Sequence, residues 1–458
     1  MPDNPEPLPK VMNSYLQNEV AKARVQELAR GAGRRRPISN PQARSGNVPA
    51  ALLRDAYRPR QLRPRPAFAL IAGIVGLALF ASATPSPLYA DYATRWHFST
   101  PMLTVVFAAY ALGALAALLL AGRLSDDLGR RPLLAAGLAV LLGAMLLFAF
   151  ARSLEWLLAA RLVQGVATGT ILSAAGAALL ELEPSRDTGK GALINGVSAA
   201  FGIGTGALVA SLLVQDAPDP RITPFALLCG LILGAIGGVL LLPEPVVRAA
   251  RPSLRPQRPV VPAQVRGAFA LASAGVTASW SIAGLYLALA PSLAVKLLHD
   301  ESHVAGGMAV FALGASAGLG QIVFRRLPPR QATAVGAVAL ATGMAGTAAS
   351  LAPDSGALFF AGSVITGAGW GVAFMGAIRS ISAAAPDQHR AGVIAAFYVV
   401  AYAALSVPSV IAGLAVPRLG IEPTFRIFGA AVIVLALLTA AGTRRDTATA
   451  QLVQPCAK

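Results

Sequence analysis

Apolar runs of about 20 residues, separated by short polar segments, recur along most of this 458-residue chain. A helix needs about 20 apolar residues to cross a bilayer, and the runs lack the alternation of polar and apolar residues found in membrane barrels. The pattern therefore predicts an all-α integral membrane protein with twelve transmembrane helices. These spans, numbered 1 to 12, are predicted at residues 68–92, 101–121, 132–151, 156–180, 191–214, 224–242, 267–293, 304–324, 332–351, 357–383, 391–416 and 424–443.

A Pro- and Arg-rich segment divides the spans into two sets of six. A shift of 202 residues places Gly165 and Gly169 of span 4 on Gly367 and Gly371 of span 10, and Pro184 on Pro386. Such internal similarity is typical of transporters built from repeats. We therefore predict two pseudo-symmetric six-helix bundles joined by a flexible cytoplasmic linker and flanked by tails. The boundaries are 1–66 for the N-terminal tail, 67–242 and 267–443 for the bundles, 243–266 for the linker and 444–458 for the C-terminal tail.

Composition supports a membrane protein and excludes several other classes. The chain is 55% hydrophobic and 13% charged, about half the charged fraction of ordinary soluble domains. Two cysteines and four histidines cannot build a disulfide framework or a Cys-rich metal site. The densest polar cluster, His299 to His303, is interpreted as a solvated loop. No metal and no cofactor is expected.

The distribution of Lys and Arg predicts the orientation, because positively charged loops remain in the cytoplasm. With both termini inside, thirty of the 38 Lys and Arg residues fall on the cytoplasmic side, six fall on the outer side, counting Arg426 in the first turn of span 12, and two lie deeper within spans. We therefore expect a multi-pass protein of the plasma (inner) membrane with cytoplasmic N and C termini. This distribution also accounts for the net charge of +17 without a nucleic-acid partner.

The N-terminal tail contains two predicted segments. Apolar residues at multiples of four favour an amphipathic surface helix over residues 11–30, whereas the Arg- and Pro-rich residues 31–66 are predicted to be disordered. No signal peptide is expected before span 1. An unstructured extension or an over-long translation start is preferred to a regulatory role.

The loop between spans 2 and 3 reads Gly122-Arg-Leu-Ser-Asp126-Asp-Leu-Gly129-Arg130-Arg131-Pro. It closely resembles the signature loop of the major facilitator superfamily, Gly-x-Leu-x-Asp-Arg/Lys-x-Gly-Arg-Arg/Lys, and differs at the second Asp, where the family usually has a basic residue. Gly122 allows close packing, Gly129 allows a positive φ, and the basic pair suits the inner phosphate level. The resemblance implies that Asp126 holds the two halves together on the cytoplasmic side when the cavity opens outward.

Weaker resemblances extend to spans 4 and 5. The stretch from Arg161 through Gln164 to Gly169 is similar to the Arg-x-x-Gln-Gly stretch of superfamily exporters. Arg161 is predicted about 10 Å below the outer surface, where a charge is normally functional, although it could also snorkel outward. Gly202 and Gly206 lie where proton-coupled antiporters of the superfamily have a motif rich in Gly and Pro. This chain has no Pro there, so we interpret the two glycines as residues that allow close helix packing.

Two prolines near the outer end of span 1, Pro85 and Pro87, free the carbonyls of Ala81 and Ala83. Asp91 follows them and is interpreted as a solvated residue at the membrane edge, with a role in coupling as the alternative. No carboxylate lies deep within a span, so protons remain only a candidate coupling ion. Polar and aromatic residues of the spans are predicted to line a central cavity, with packing between helices as the alternative: Tyr110, Gln164, Asn195, Ser198, Trp280, Tyr286, Gln321, Trp370, Tyr398 and Tyr402.

Taken together, these features predict a secondary active transporter resembling the drug and sugar efflux branch of the superfamily. The partners expected are a small-molecule substrate and the lipid bilayer, and we expect a monomer. Export of a small amphiphilic compound is the first hypothesis, and import of a small metabolite or organic anion is the second. A third is a transport-inactive sensor or scaffold. The sequence contains no recurring constellation of nucleophile, base and acid, so an enzyme is not expected.

Overall fold

A computed structural model describes residues 62–183, 189–244, 256–299 and 302–452. The predicted tail helix over 11–30, nearly all of the predicted disordered segment 31–66 and most of the linker lie outside these ranges. Within them, twelve helices are long and apolar enough to cross a membrane, as the sequence predicts. These helices are α1 Pro64–Ala83, α2 Thr100–Leu128, α3 Arg130–Ala149, α4 Leu154–Glu181, α5 Lys190–Asp216, α6 Thr223–Leu240, α7 Arg266–Leu298, α8 His303–Val323, α9 Pro329–Ala349, α10 Gly356–Ala384, α11 Arg390–Leu419 and α12 Ile421–Leu452.

Local sequence determines where several helices begin. Proline lies in the first turn of α1, α2, α6 and α9, where its fixed φ suits the helix and its missing N–H is not needed. Ser302 and Ser355 cap α8 and α10 by accepting hydrogen bonds from Ala305 N–H and Leu358 N–H. These signals explain why α1 begins at Pro64 and not at the predicted residue 68.

The two halves contact each other through two pairs of helices. Between the halves, α2 packs on α11 and α5 packs on α8. Small residues bring the backbones together: Gly314 of α8 faces Ala200 and Gly204 of α5, and Gly413 of α11 faces Thr104 of α2. Such residues allow the close approach that helix packing in membranes requires.

The alternating helix directions bring the C-terminal ends of α2, α4, α6, α8 and α10 to one end of the bundle, which we call the basic end. The described part of the linker binds both halves there. Gln257 N–H donates to Leu119 O of α2 at 2.8 Å, and Val260 N–H donates to Gly392 O of α11 at 3.2 Å. The linker is therefore packed against the bundle at residues 257–260, whereas the sequence predicts a flexible segment.

Candidate functional site

A break in the first membrane span exposes backbone acceptors inside the N-terminal half. Helix α1 ends at Ala83, and a 3-10 turn at Ser86–Leu88 leads into a short helix at Tyr89–Trp96. Because Pro85 has no N–H, the carbonyl of Ala81 lacks its helical donor. That carbonyl accepts instead from Gln164 Nε2 at 2.8 Å, so span 1 is broken where the prolines predict freed carbonyls.

Arg161 of α4 is bound at this break. Its Nη1 donates to Ser82 O at 2.9 Å and to Gln164 Oε1 at 2.6 Å. The residue is only 1% exposed, which rules out snorkelling in this conformation. Gln164 also binds Ala81 O, so the pair on α4 bridges two consecutive carbonyls of α1 and fixes the orientation of the guanidinium.

Aromatic rings, and not carboxylates, surround the Arg161 charge. Its guanidinium carbon lies 5.2 to 5.9 Å from four ring centroids, those of Tyr89, Phe107, Tyr110 and Phe148. Ring faces attract cations, with a gain of up to about 2 kcal/mol in a desolvated site. Among the described residues, no Asp or Glu lies within ion-pair distance of this arginine. The site therefore holds a permanent positive charge that is stabilised only by dipoles and rings.

Several buried polar atoms around the break have no hydrogen-bond partner. They are Arg161 Nε, Tyr89 Oη, Tyr92 Oη and Ser86 Oγ. A buried group left unpaired costs about 1–3 kcal/mol, so this concentration of unpaired donors marks a place where a bound acceptor would be stabilised.

A row of aromatic rings in the C-terminal half faces the N-terminal half. Trp280 of α7 lies 5.2 Å from Tyr402 of α11 and 5.7 Å from Phe374 of α10. The row continues through Phe397 to Tyr398 at 6.1 and 6.0 Å between centroids. Tyr402 packs in one cluster with the α2 residues Ala111 and Ala114. The predicted cavity residues Trp280, Tyr398 and Tyr402 are therefore brought together on one surface between the halves.

The remaining predicted cavity residues lie at several separate places in the bundle. Tyr110 binds Ser82 Oγ at 2.9 Å beside Arg161, whereas Trp370 belongs to the main hydrophobic core of the C-terminal half. The Gln321 side chain lies against Gly196 of α5, next to Asn195, whose Oδ1 is buried and unpaired. Ser198 lines a separate cavity of about 280 Å³ between α1 and α5.

Tyr286 lies in a closed polar cluster of the C-terminal half. Its hydroxyl lies 3.1 Å from Thr347 Oγ1 and 3.0 Å from Ser363 Oγ. All three residues are fully buried. The two hydroxyls of Thr347 and Ser363 also donate to backbone carbonyls of their own helices, so the cluster is complete without a ligand.

At the opposite end of the bundle, Asp91 connects the two halves. Its Oδ1 lies 3.7 Å from His303 Nε2 at the start of α8, and both side chains are partly exposed. The structure thus gives Asp91 a partner in the other half, and its position at the membrane edge stays a prediction. The contact is an ion pair only when His303 is protonated.

The signature loop is held by a network that includes two carboxylates missed from the sequence. Arg130 Nη1 lies 2.6 Å from Asp126 Oδ1, and its Nη2 lies 2.7 Å from Oε1 of Glu181 at the end of α4. The Glu244 carboxylate accepts from the backbone N–H groups of Arg130 and Arg131 at 3.1 and 2.9 Å. Glu244 therefore caps the N-terminus of α3, a favourable place for negative charge.

Two glycines of this loop lie where a side chain would meet neighbouring atoms. Gly129 has φ +98°, and a Cβ there would meet the Glu244 carboxylate. A Cβ at Gly122 would meet the side chain of Gln257 in the linker. The described partners of the Arg130 side chain belong to the N-terminal half, and Glu244 of the linker binds its backbone N–H, so the network stabilises that half and its junction with the linker. The role of Asp126 between the halves remains a prediction.

Comparisons with known proteins agree with this architecture. The family model described as Major Facilitator Superfamily matches residues 70–408. The crystal structure of the human organic anion transporter MFSD10 (TETRAN) matches with a TM-score of 0.63 and 17% sequence identity, covering 84% of this chain and 100% of that one. No curated protein matches the sequence significantly. From the extent of the family match, the chain belongs to the major facilitator superfamily, whose members are membrane transporters.

Proposed function

We propose that this protein is a secondary active transporter that exports small amphiphilic organic anions across the plasma membrane by alternating access. The observation that carries the proposal is the buried guanidinium of Arg161, which has no carboxylate partner among the described residues. An uncompensated charge in a membrane protein interior costs several kcal/mol. An anionic substrate supplies the missing charge and accepts a hydrogen bond from the unpaired Nε.

The amphiphilic part of the proposal comes from the rings on the other half. Trp280, Tyr402 and Phe374 offer an apolar, polarisable surface to the carbon skeleton of a substrate. Such rings combine large contact area with stacking preferences. A substrate with an anionic head and an aromatic or aliphatic body therefore matches both halves.

Direction and mechanism rest on the helix contacts and on sequence similarity. The α2/α11 and α5/α8 contacts are built on small residues, along which two rigid halves can rock around a central site. Export is favoured by the similarity of the Arg161 to Gly169 stretch to superfamily exporters. The human structural neighbour is named as an organic anion transporter, and at 17% identity it supports the substrate class by analogy only.

Transport assays in proteoliposomes test this function. We expect labelled aryl sulfonates to be moved by the wild-type protein and Arg161→Gln to reduce their kcat/KM by about 100-fold, since an anion contact in a buried site contributes about 3 kcal/mol. Arg161→Lys should retain part of the activity because it keeps the charge without the planar fork. Transport of neutral amphiphiles by both variants at the wild-type rate would show that each is folded.

Direction and energy source are measured with the same protein. Inside-out vesicles with an imposed pH gradient should accumulate the anion if the protein is an exporter driven by protons. Accumulation only in right-side-out vesicles would replace export with import. Transport of neutral compounds alone, unaffected by Arg161→Gln, would overturn the anion proposal.

A further inference from the structure

We infer that the N-terminal half alone binds the charged group of the substrate, so the preferred substrate carries one negative charge and presents its apolar body to the C-terminal half. This inference rests on the proposed function and extends it to the number and placement of charges. It follows from a comparison of the two halves at equivalent positions.

The internal repeat assigns a counterpart to each residue of the Arg161 site. The shift of 202 residues that aligns the glycines of α4 and α10 places Ser363 at the position of Arg161 and Thr366 at the position of Gln164. Position 84 of the broken span, a threonine, corresponds to Tyr286. The C-terminal half thus has neutral hydroxyl groups where the N-terminal half has a cation.

Hydrogen bonding differs between these equivalent places. In the C-terminal half, Ser363 Oγ donates to Phe359 O at 2.8 Å and contacts the Tyr286 hydroxyl, while Thr366 Oγ1 donates to Gly362 O at 2.8 Å. None of these hydroxyls is left without a partner. In the N-terminal half, Arg161 Nε is buried and has no hydrogen-bond acceptor. Among these equivalent positions, the N-terminal half therefore has a donor available for a ligand and the C-terminal half does not.

A second anionic group would find no matching cation inside the described spans. Apart from Arg161, the sequence places only Arg379 and Arg426 inside predicted spans, and Arg426 Nη2 in the first turns of α12 lies 3.8 Å from Glu422 Oε2. The Arg379 guanidinium donates to the carbonyls of Arg325 and Leu327 at the basic end. A dianion bound at Arg161 would hold its second charge against the rings of Trp280 and Tyr402, where an unpaired charge is strongly disfavoured.

Naphthalene-2-sulfonate and naphthalene-2,6-disulfonate make a suitable pair of probes, because they share one aromatic body and stay charged at every working pH. In proteoliposomes of the full chain, we expect kcat/KM for the monosulfonate to exceed that for the disulfonate by about tenfold or more. Equal values for the two would overturn the inference and leave anion transport intact. Transport of neither anion, with neutral amphiphiles still moved, would instead refute the proposed function itself.

Two variants separate the roles of the two halves. Ser363→Ala is the matched control for Arg161→Gln, since it alters the equivalent position of the other half, and it should leave the preference for the monoanion unchanged. Trp280→Ala should raise KM for naphthalene-2-sulfonate more than for methanesulfonate, which has no aromatic body. Loss of monoanion preference in Ser363→Ala, or an equal effect of Trp280→Ala on both sulfonates, would contradict the assignment of head and body to separate halves.

Discussion

The crossing of α2 and α4 supports a prediction that isolates packing from chemistry. A Cβ at Gly165 would lie 2.1 Å from Tyr110 O and 2.9 Å from Ala114 N. Gly176 lies three turns further along the same helix, and a Cβ there would have no atom within 4 Å. Gly165→Ala and Gly176→Ala therefore make the same chemical change in one helix, one against a neighbouring backbone and one in open space.

The structure indicates the size of each effect. A Cβ contact of 2.1 Å must lengthen by about 1 Å before it is sterically allowed, and both atoms it meets are backbone atoms, so α4 must move away from α2. Overpacking of this kind costs about 1–3 kcal/mol, while replacing Gly by Ala inside a helix contributes up to about 1 kcal/mol. We expect a net loss of about 1–2 kcal/mol for Gly165→Ala and a small gain for Gly176→Ala.

Heating the detergent-solubilised protein and measuring the remaining monodisperse fraction gives an apparent Tm for each variant. Gly165→Ala should have a lower Tm than the wild type, and Gly176→Ala a Tm equal to or slightly above it. The displaced helix should also weaken the contact between Tyr110 and Arg161, now 5.5 Å from ring centroid to guanidinium, and so reduce transport. If the two variants share one Tm, the tight crossing of α2 and α4 is not a determinant of stability.

Three further predictions concern the ends of the bundle. In a cysteine-free background, Ser302→Cys should react with an impermeant thiol reagent added outside intact cells, whereas Ser253→Cys should react only after permeabilisation. The opposite labelling pattern would mean that the predicted orientation is wrong. Asp126→Asn removes a charge from the 2.6 Å pair of the signature loop, and we expect normal insertion with strongly reduced transport, measured as initial rate per inserted molecule. Asp91→Asn removes the charge that lies 3.7 Å from His303 Nε2 across the two halves, and we expect a changed transport rate; a rate equal to that of the wild type would show that this contact does not affect the transport cycle.

The membrane helices were predictable because bilayer thickness requires about 20 apolar residues in every span. Window averages of hydropathy report where a helix is apolar and not where it ends. This explains why α2 continues to Leu128 beyond the predicted residue 121 and why α12 reaches Leu452. Span 1 is predicted as one run over 68–92. In the structure, the α-helix ends at Ala83 and continues as a 3-10 turn and the short helix Tyr89–Trp96, because hydropathy does not register the missing N–H groups of proline.

Part of the candidate site was also predictable. Proline chemistry identifies the free carbonyl of Ala81, and the spacing of three residues places Arg161 and Gln164 on one face of α4. Glu181 and Glu244 were missed because each is an ordinary charged residue at the end of a span, and their contacts with Arg130 join positions 51 and 114 residues apart. The signal for Ser363 was present in the repeat, because extending the glycine alignment by four residues pairs it with Arg161.

The packed segment of the linker has a kinetic consequence for the transport cycle. The backbone N–H of Gln257 donates to a carbonyl of the N-terminal half, and that of Val260 donates to a carbonyl of the C-terminal half. Three residues of extended chain reach only about 10 Å. If the basic end opens by more than this reach allows, at least one of the two hydrogen bonds must break first. The linker then contributes to the activation barrier between conformations, and turnover number becomes sensitive to the chemistry of a segment remote from the Arg161 site.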